Sequence, residues 1–334
     1  MKAAIFHGPG RIAIEDVADD PLGPTDLRIA VTRCGVCGSD IAMTSGTQFD
    51  YPHGCRLGHE TAGTVIETGR DVTAVRSGDR IAVMPSGPCG HCAMCRAHRP
   101  LFCTNGRMQF GGFGERMVVT ESSAFVFPQS VSHAEGALVE PVACGRRAMR
   151  MARLEPGAGV LVLGAGSMGL GAIFWARRMG AGRIVVATRS AGRHEAALAS
   201  GADEAIVLSP DDPDAVARAF PAGPDIVVEG IGKPGAIQQA AAHVPIGGTL
   251  VSLGMCIAQD SILPVMLGTR DMTVHFPVAW SVEDFVETIR AFDEGAGSAA
   301  AMVGETLPLA ALPGLIEEMR GPHKHQKVQI APGG

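Results

Sequence analysis

The sequence predicts an α/β plus β chain, with a barrel-like all-β domain over residues 1–145, rejoined by 281–334, and a doubly wound parallel sheet over 146–280. Three observations predict it. The length of 334 residues is about twice that of one ordinary domain. Short β-type runs separated by glycine and proline turns fill the first 140 positions. From Val160 onward the pattern changes to a repeated order of strand, turn and helix.

In the first domain, residues 27–31, 63–66 and 80–83 read as strands bounded by turn residues. In the second, the strands are 160–163, 184–187, 205–208, 226–229, 249–253 and 272–276, with a long apolar helix over 168–179. Six strands with intervening helices describe a doubly wound sheet. After Trp280, an amphipathic stretch over 282–292 leads into a C-terminal region that returns to the first domain.

Composition narrows the function classes. A net charge of −6 and a pI near 6.0 supply no basic surface for a phosphate backbone, so nucleic acid is not an expected partner. The N-terminal apolar run is short and broken at Gly8, which argues against a signal peptide. No uncharged apolar stretch reaches the length of a membrane span. The chain therefore reads as a soluble, cytoplasmic protein without a membrane partner. Its 44 glycines and 22 prolines are scattered, marking turns rather than disorder.

Nine cysteines in an intracellular chain point to metal binding or chemistry before disulfides. Cys89, Cys92, Cys95 and Cys103 form a C-x2-C-x2-C-x7-C array in a loop rich in glycine and proline. Zinc takes four thiolates tetrahedrally, and this spacing lets one compact loop supply them all. A closed shell leaves no position for substrate, so the site reads as structural, stabilising a lobe without a core of its own. An iron–sulfur cluster shares the donor set. His91 reads as a surface residue, and Cys34, Cys55, Cys144 and Cys256 read as small core residues.

A second, open metal site is read from Cys34-Gly35-Val36-Cys37-Gly38-Ser39-Asp40 and Gly58-His59-Glu60. Catalytic zinc keeps three protein ligands and one open position. Cys37 and His59 are natural ligands, with Glu60 or Glu140 as the third. Further on, Gly164-Ala165-Gly166-Ser167-Met168-Gly169 follows an apolar strand and opens a helix, the context in which such a run binds a dinucleotide. Gly164 makes the tight turn, Gly166 admits pyrophosphate beside Ser167 and Met168 at the helix start, and Gly169 lets helix and strand pack closely. The second strand ends in Thr188-Arg189-Ser190, with no carboxylate for the adenosine 2′-hydroxyl. Arg189 and Arg193 offer guanidinium donors to a 2′-phosphate instead. NADP(H) is expected over NAD(H), with dual use as the alternative.

These runs, in their order and spacing, resemble the zinc-containing medium-chain alcohol dehydrogenases, above all the sorbitol and threonine dehydrogenase branch. The likeness rests on CGVCGSD at 34–40, GHE at 58–60, the four-cysteine lobe, Glu140-Pro141 and GAGSMG at 164–169, and it extends over essentially the whole chain. It implies a GroES-like catalytic domain, a Rossmann domain, and two zincs per chain, one catalytic and one structural. By the same resemblance Cys37, His59 and Glu140 are candidate catalytic ligands, and Glu60 is a fourth, exchangeable ligand or a charge behind the metal. Ser39 would carry the alcohol proton, and Asp40 would orient the His59 imidazole. Where relatives often have a histidine two residues after that aspartate, this chain has Ala42. A homodimer or homotetramer, joined through the edge of the cofactor sheet, is also implied.

The branch commonly holds a polyol with polar and basic groups just after the last sheet strand. Here that segment offers Phe276, Val278 and Trp280, so a relatively apolar secondary alcohol or its ketone is the expected small-molecule substrate. A polyol or threonine-type substrate is the alternative within the branch. A zinc-free reductase of the same architecture would need neither metal site. A nucleotide-sensing zinc protein would not need Ser39 beside intact ligands.

Overall fold

The structure is a computed structural model and describes residues 1–295 and 299–333. Residues 296–298 and 334 of the expected first domain lie outside the described residues. The chain divides into two compact units. The first comprises Met1–Glu140, Trp280–Gly295 and the segment from Val303 onward, and the second is built on Pro141–Ala279. The short turn Ala299–Met302 also belongs to the second unit, whereas the sequence places all of 281–334 in the first.

The first unit is organised by one long strand, Asp26–Gly35. Leu27, Ile29 and Val31 point inward and are at most 4% exposed, the alternation that a strand with one buried face requires. One edge of this strand pairs with Glu60–Thr68. Its other edge is shared, with Arg116–Thr120 pairing along the first half and Lys327–Ala331 at the end. Arg80–Val83 and Ala124–Val126 extend the sheet on one side, and Val303–Pro308 extends it on the other. Seven strands thus enclose a core that includes Phe113, Met117 and Ile81, with Leu312 and Ile316 of the helix Leu312–Met319 packed into it.

The second unit is a six-stranded sheet, parallel throughout, in the order Glu204–Val207, Arg183–Thr188, Gly159–Leu163, Ile226–Glu229, Thr249–Ser252, Thr273–His275. Val160, Leu161, Val162 and Leu163 are all completely buried. Parallel strands covered on both faces read as continuous apolar runs rather than alternating ones, which makes the central strands legible in the sequence, whereas the edge strands Glu204–Val207 and Thr273–His275 are only partly buried. The helix Ser167–Arg178 lies where the glycine turn predicts it. Its Gly171 faces Gly145 so closely that a Cβ on Gly145 would lie 2.3 Å from the Gly171 backbone. Gly145 belongs to His133–Met151, a helix that carries Pro141 in its interior and was not anticipated from the sequence. Among the described residues, no helix is long and apolar enough to cross a membrane.

A Cβ on Gly169 would sit 2.0 Å from the Gly164 carbonyl oxygen, a clash with fixed backbone. Gly169→Ala is therefore expected to destabilise the protein by about 1–3 kcal/mol, read as a lower midpoint in urea unfolding. An unchanged midpoint would mean that the turn relaxes freely.

Candidate functional site

Cys37, His59 and Glu60 converge in the first unit, with one ligand atom from each lying within 4.8 Å of the others. Local structure delivers them. Cys37 caps the short helix Gly38–Ala42, whose Asp40 carboxylate accepts the Cys37 N–H through Oδ2 at 2.9 Å. The far end of that helix is pinned by Arg320, which donates to the carbonyls of Ile41 and Thr44 at 2.7 and 2.8 Å. His59 and Glu60 leave Gly58, whose φ of +95° and close approach to Phe113 N exclude a side chain.

Asp40 Oδ1 faces His59 Nδ1 at 3.5 Å, and neither atom has another hydrogen-bond partner. On the other side of the ring, Ser39 Oγ stands 3.4 Å from Nε2. Burial draws the His59 imidazole down, but the Asp40 charge and the Cys37 sulfur hold it well above the usual histidine range. The carboxylate orients the ring through one nitrogen and leaves the other facing the cluster, as in a metal-binding histidine. A thiol, an imidazole and a carboxylate that converge, with a second carboxylate orienting the imidazole, fit a zinc ion that keeps an open position.

Glu60 is completely buried and ion-paired to Lys327, whose Nζ also donates to the Val36 carbonyl at 2.9 Å. Burial draws the ammonium down, but Glu60 and Cys37 outweigh it and raise Lys327 above its ordinary value. The pair meets in a notch made by Gly35, whose missing Cβ would lie 1.9 Å from Glu60 Oε2. Gly35 pairs with Glu60 on one neighbouring strand and with Gln329 on the other, so the ion pair spans three strands. Glu140 does not join the cluster. Its carboxylate accepts a 2.7 Å hydrogen bond from Trp280 Nε1 instead. Desolvation raises Glu140 above the ordinary carboxylate range.

The four sulfurs of Cys89, Cys92, Cys95 and Cys103 also lie within 4.8 Å of one another, with Cys92–Cys95, Cys92–Cys103 and Cys89–Cys95 at 3.5, 3.8 and 3.9 Å. Thiolates held tetrahedrally on zinc are separated by about 3.8 Å. The backbone N–H groups of Cys95 and Thr104 pull the Cys92 thiol down to about 5, whereas desolvation and the neighbouring sulfurs push Cys95 up to about 12. The lobe contributes the two-residue ladder Ser86–Gly87 with Arg107–Met108, the turn Ala93–Arg96, which buries nothing, and the turn Pro100–Phe102, which buries Pro100. His91 is exposed, as expected, and bonds the Cys89 carbonyl. Cys34 and Cys144 are buried as expected, but Cys55 and Cys256 are only partly so because both stand on loops.

In the second unit, Gly164 has φ +93° and Gly166 caps the helix Ser167–Arg178, placing Ser167 and Met168 in its first turn. The Gly164 N–H donates to the Ala187 carbonyl, bringing the end of Arg183–Thr188 beside this turn. Thr188 Oγ1 donates to the Ser190 carbonyl and contacts His194 Nε2 at 2.7 Å, so its hydroxyl is already engaged. Arg189 is exposed, whereas Arg193 is half-buried and lowered by desolvation.

Comparison with known proteins accords with this geometry. Residues 23–129 match the family model of the alcohol dehydrogenase GroES-like domain, and residues 167–294 match that of the zinc-binding dehydrogenases. Sorbitol dehydrogenase of Bacillus subtilis is 33% identical over 76% of this chain and 75% of its own length. The chain belongs to the zinc-binding alcohol dehydrogenase family. Two solved relatives align over 99% of both chains. One, a zinc-binding dehydrogenase chain from Sinorhizobium meliloti bound to NADP, has a TM-score of 0.89 at 29% identity. The other, 2R,3R-butanediol dehydrogenase from Bacillus subtilis, has a TM-score of 0.86 at 27% identity.

For this dehydrogenase the sequence reading missed Lys327, Arg320 and Phe110. Phe110 lies edge-on to both His59 and Tyr51, with ring centroids 6.3 and 5.4 Å apart. No local motif marks any of the three, and only the fold brings them to the cluster. Phe276 and Val278 are 60% and 50% exposed in the second unit, while Trp280 is buried. Replacing Lys327 with Met would leave the Glu60 carboxylate buried without its counter-ion. A loss of about 3–5 kcal/mol is expected in chemical unfolding of the metal-free enzyme. A loss below about 1 kcal/mol would show that the pair has little structural weight.

Proposed function

We propose that this dehydrogenase uses NADP(H) to interconvert a relatively apolar secondary alcohol and its ketone, with one catalytic and one structural zinc per chain. The observation that carries the reading is the convergence of Cys37, His59 and Glu60, with Asp40 set against the outer nitrogen of His59. When bound, zinc supplies a Lewis acid and the nicotinamide supplies the hydride donor or acceptor. The residues of this chain do the rest. Cys37, His59 and Glu60 hold the metal, Asp40 fixes the ring, and Lys327 balances the charge that Glu60 brings into the interior. The Ser39 hydroxyl carries the substrate proton away from the buried side of the pocket. Because Ala42 offers no titratable group, the onward path runs through water or a cofactor hydroxyl.

The NADP(H) preference is supported by the missing carboxylate after Thr188, by Arg189 and Arg193 beyond it, and by the relative solved with NADP. Phe110 beside His59 supports an apolar substrate, and the relative named for 2R,3R-butanediol supports a secondary alcohol. A second reading, a polyol substrate, is favoured by the likeness to sorbitol dehydrogenases. We infer a homodimer or homotetramer from the free sheet edge Thr273–His275 and the exposed Leu263 and Val265 beside it in the chain.

NADPH and NADH oxidation would be measured on apolar ketones and a keto-sugar, with zinc determined on the same sample. Rapid NADPH-dependent ketone reduction with about two zincs per chain is expected. Turnover of the keto-sugar alone would favour the polyol reading, and about one zinc per chain would remove the catalytic site. Substituting both Arg189 and Arg193 with Ala should raise KM for NADPH about 10- to 100-fold while leaving that for NADH in place. Equal losses with both cofactors would refute the arginine assignment.

A further inference from the structure

Building on the zinc reading above, we propose that Trp280 is a positioning residue that holds Glu140 outside the Cys37–His59–Glu60 cluster and so keeps the fourth metal position free of protein. Glu140 is near enough for its charge to be felt by His59, Glu60 and Lys327, yet its carboxylate is not among the converging ligands. A fourth protein ligand would convert an open site into a closed, structural one. The residue that directs Glu140 elsewhere therefore decides which kind of site this is.

Trp280 is built for that task. Its indole N–H donates to Glu140 Oε1 at 2.7 Å, and the side chain is 2% exposed. The indole stands edge-on to Phe285 at 5.1 Å, and the fully buried Phe285 packs in turn on Phe125. The next residue is locked as well, since Ser281 caps the helix Val282–Asp293 and both its N–H and its hydroxyl donate to Asp284 Oδ2. On the other side, Ala279 has a φ of +57°, a left-handed conformation that an alanine adopts only when its surroundings impose it. An indole fixed from both sides cannot follow the carboxylate if it turns toward the cluster. Moving Glu140 would break the bond and leave the indole N–H buried without a partner. Lys327 already claims Glu60, so the two carboxylates have separate partners, one a cation and the other an uncharged donor.

The test is cobalt substitution in the full-length wild type, Trp280→Phe, Glu140→Gln and the double variant, with Cys37→Ser giving the spectrum of the four-cysteine site alone. In Trp280→Phe the freed carboxylate should enter the cluster. Co2+ should bind there at least about tenfold tighter in chelator competition, its visible bands should change, and kcat should fall more than KM moves. Adding Glu140→Gln should restore the wild-type spectrum and affinity. Glu140→Gln alone should leave both as in wild type, because Glu140 is not a ligand and the amide oxygen still accepts the indole N–H. Unchanged or weaker Co2+ binding in Trp280→Phe overturns the inference, and so does a changed spectrum in Glu140→Gln alone. If Trp280→Phe does not fold, Glu140→Gln still decides, read against Glu60→Gln, which must alter the spectrum. Failure of the wild type to bind Co2+ beyond the Cys37→Ser level would overturn the catalytic-zinc reading itself.

Discussion

The ion pair between Glu60 and Lys327 is the constraint around which the first unit is arranged. Two charges have been taken out of water, and their mutual attraction offsets that cost only where geometry is good and the remaining donors are satisfied. Here the ammonium also bonds the Val36 carbonyl, and the notch at Gly35 lets both side chains cross the middle strand. A slip of one residue in either flanking strand would turn Glu60 or Lys327 to the opposite face. The pair thus ties together the register of three strands, and that register brings the Glu60 carboxylate beside Cys37 and His59.

The rest of the unit supports this placement with short-range devices. Asp40 serves twice, closing the cap of a five-residue helix with one oxygen and facing His59 with the other. Arg320 holds the opposite end of the same helix, so the segment bearing Ser39 and Asp40 is tied at both ends. The four-cysteine lobe follows a different logic. It has little regular structure and little apolar burial, and its four sulfurs converge instead.

Features encoded in spacing or in an unbroken local pattern were legible in the sequence. The cysteine array, the glycine turn and the six parallel strands are of this kind, because each depends on residues close together in the chain. Features that depend on where a side chain points in the folded protein were not. Glu60 and Glu140 both read as acidic candidates for the third ligand, and only the folded chain separates them, pairing Glu60 with Lys327 and Glu140 with the Trp280 indole. The helix His133–Met151 escaped notice because Pro141 interrupts its pattern, although its glycines serve close packing rather than a turn. The aromatic neighbour of His59 is Phe110, in a region read only for its cysteines, while Phe276 and Val278 stand open on the second unit.

Lys327 lies 267 positions beyond Glu60. Cys37, His59 and Glu60 are therefore all synthesised before the second unit, and the cation that lets Glu60 enter the interior emerges only after it. At about 5–20 residues per second, the delay is on the order of 10–50 s. During that interval the nascent chain carries Cys37, His59 and Glu60 without the cation that Glu60 pairs with in the folded unit. Assembly of the cluster is thereby coupled to completion of the closing strand, and a polypeptide cut short before Lys327 would leave Glu60 without its counter-ion.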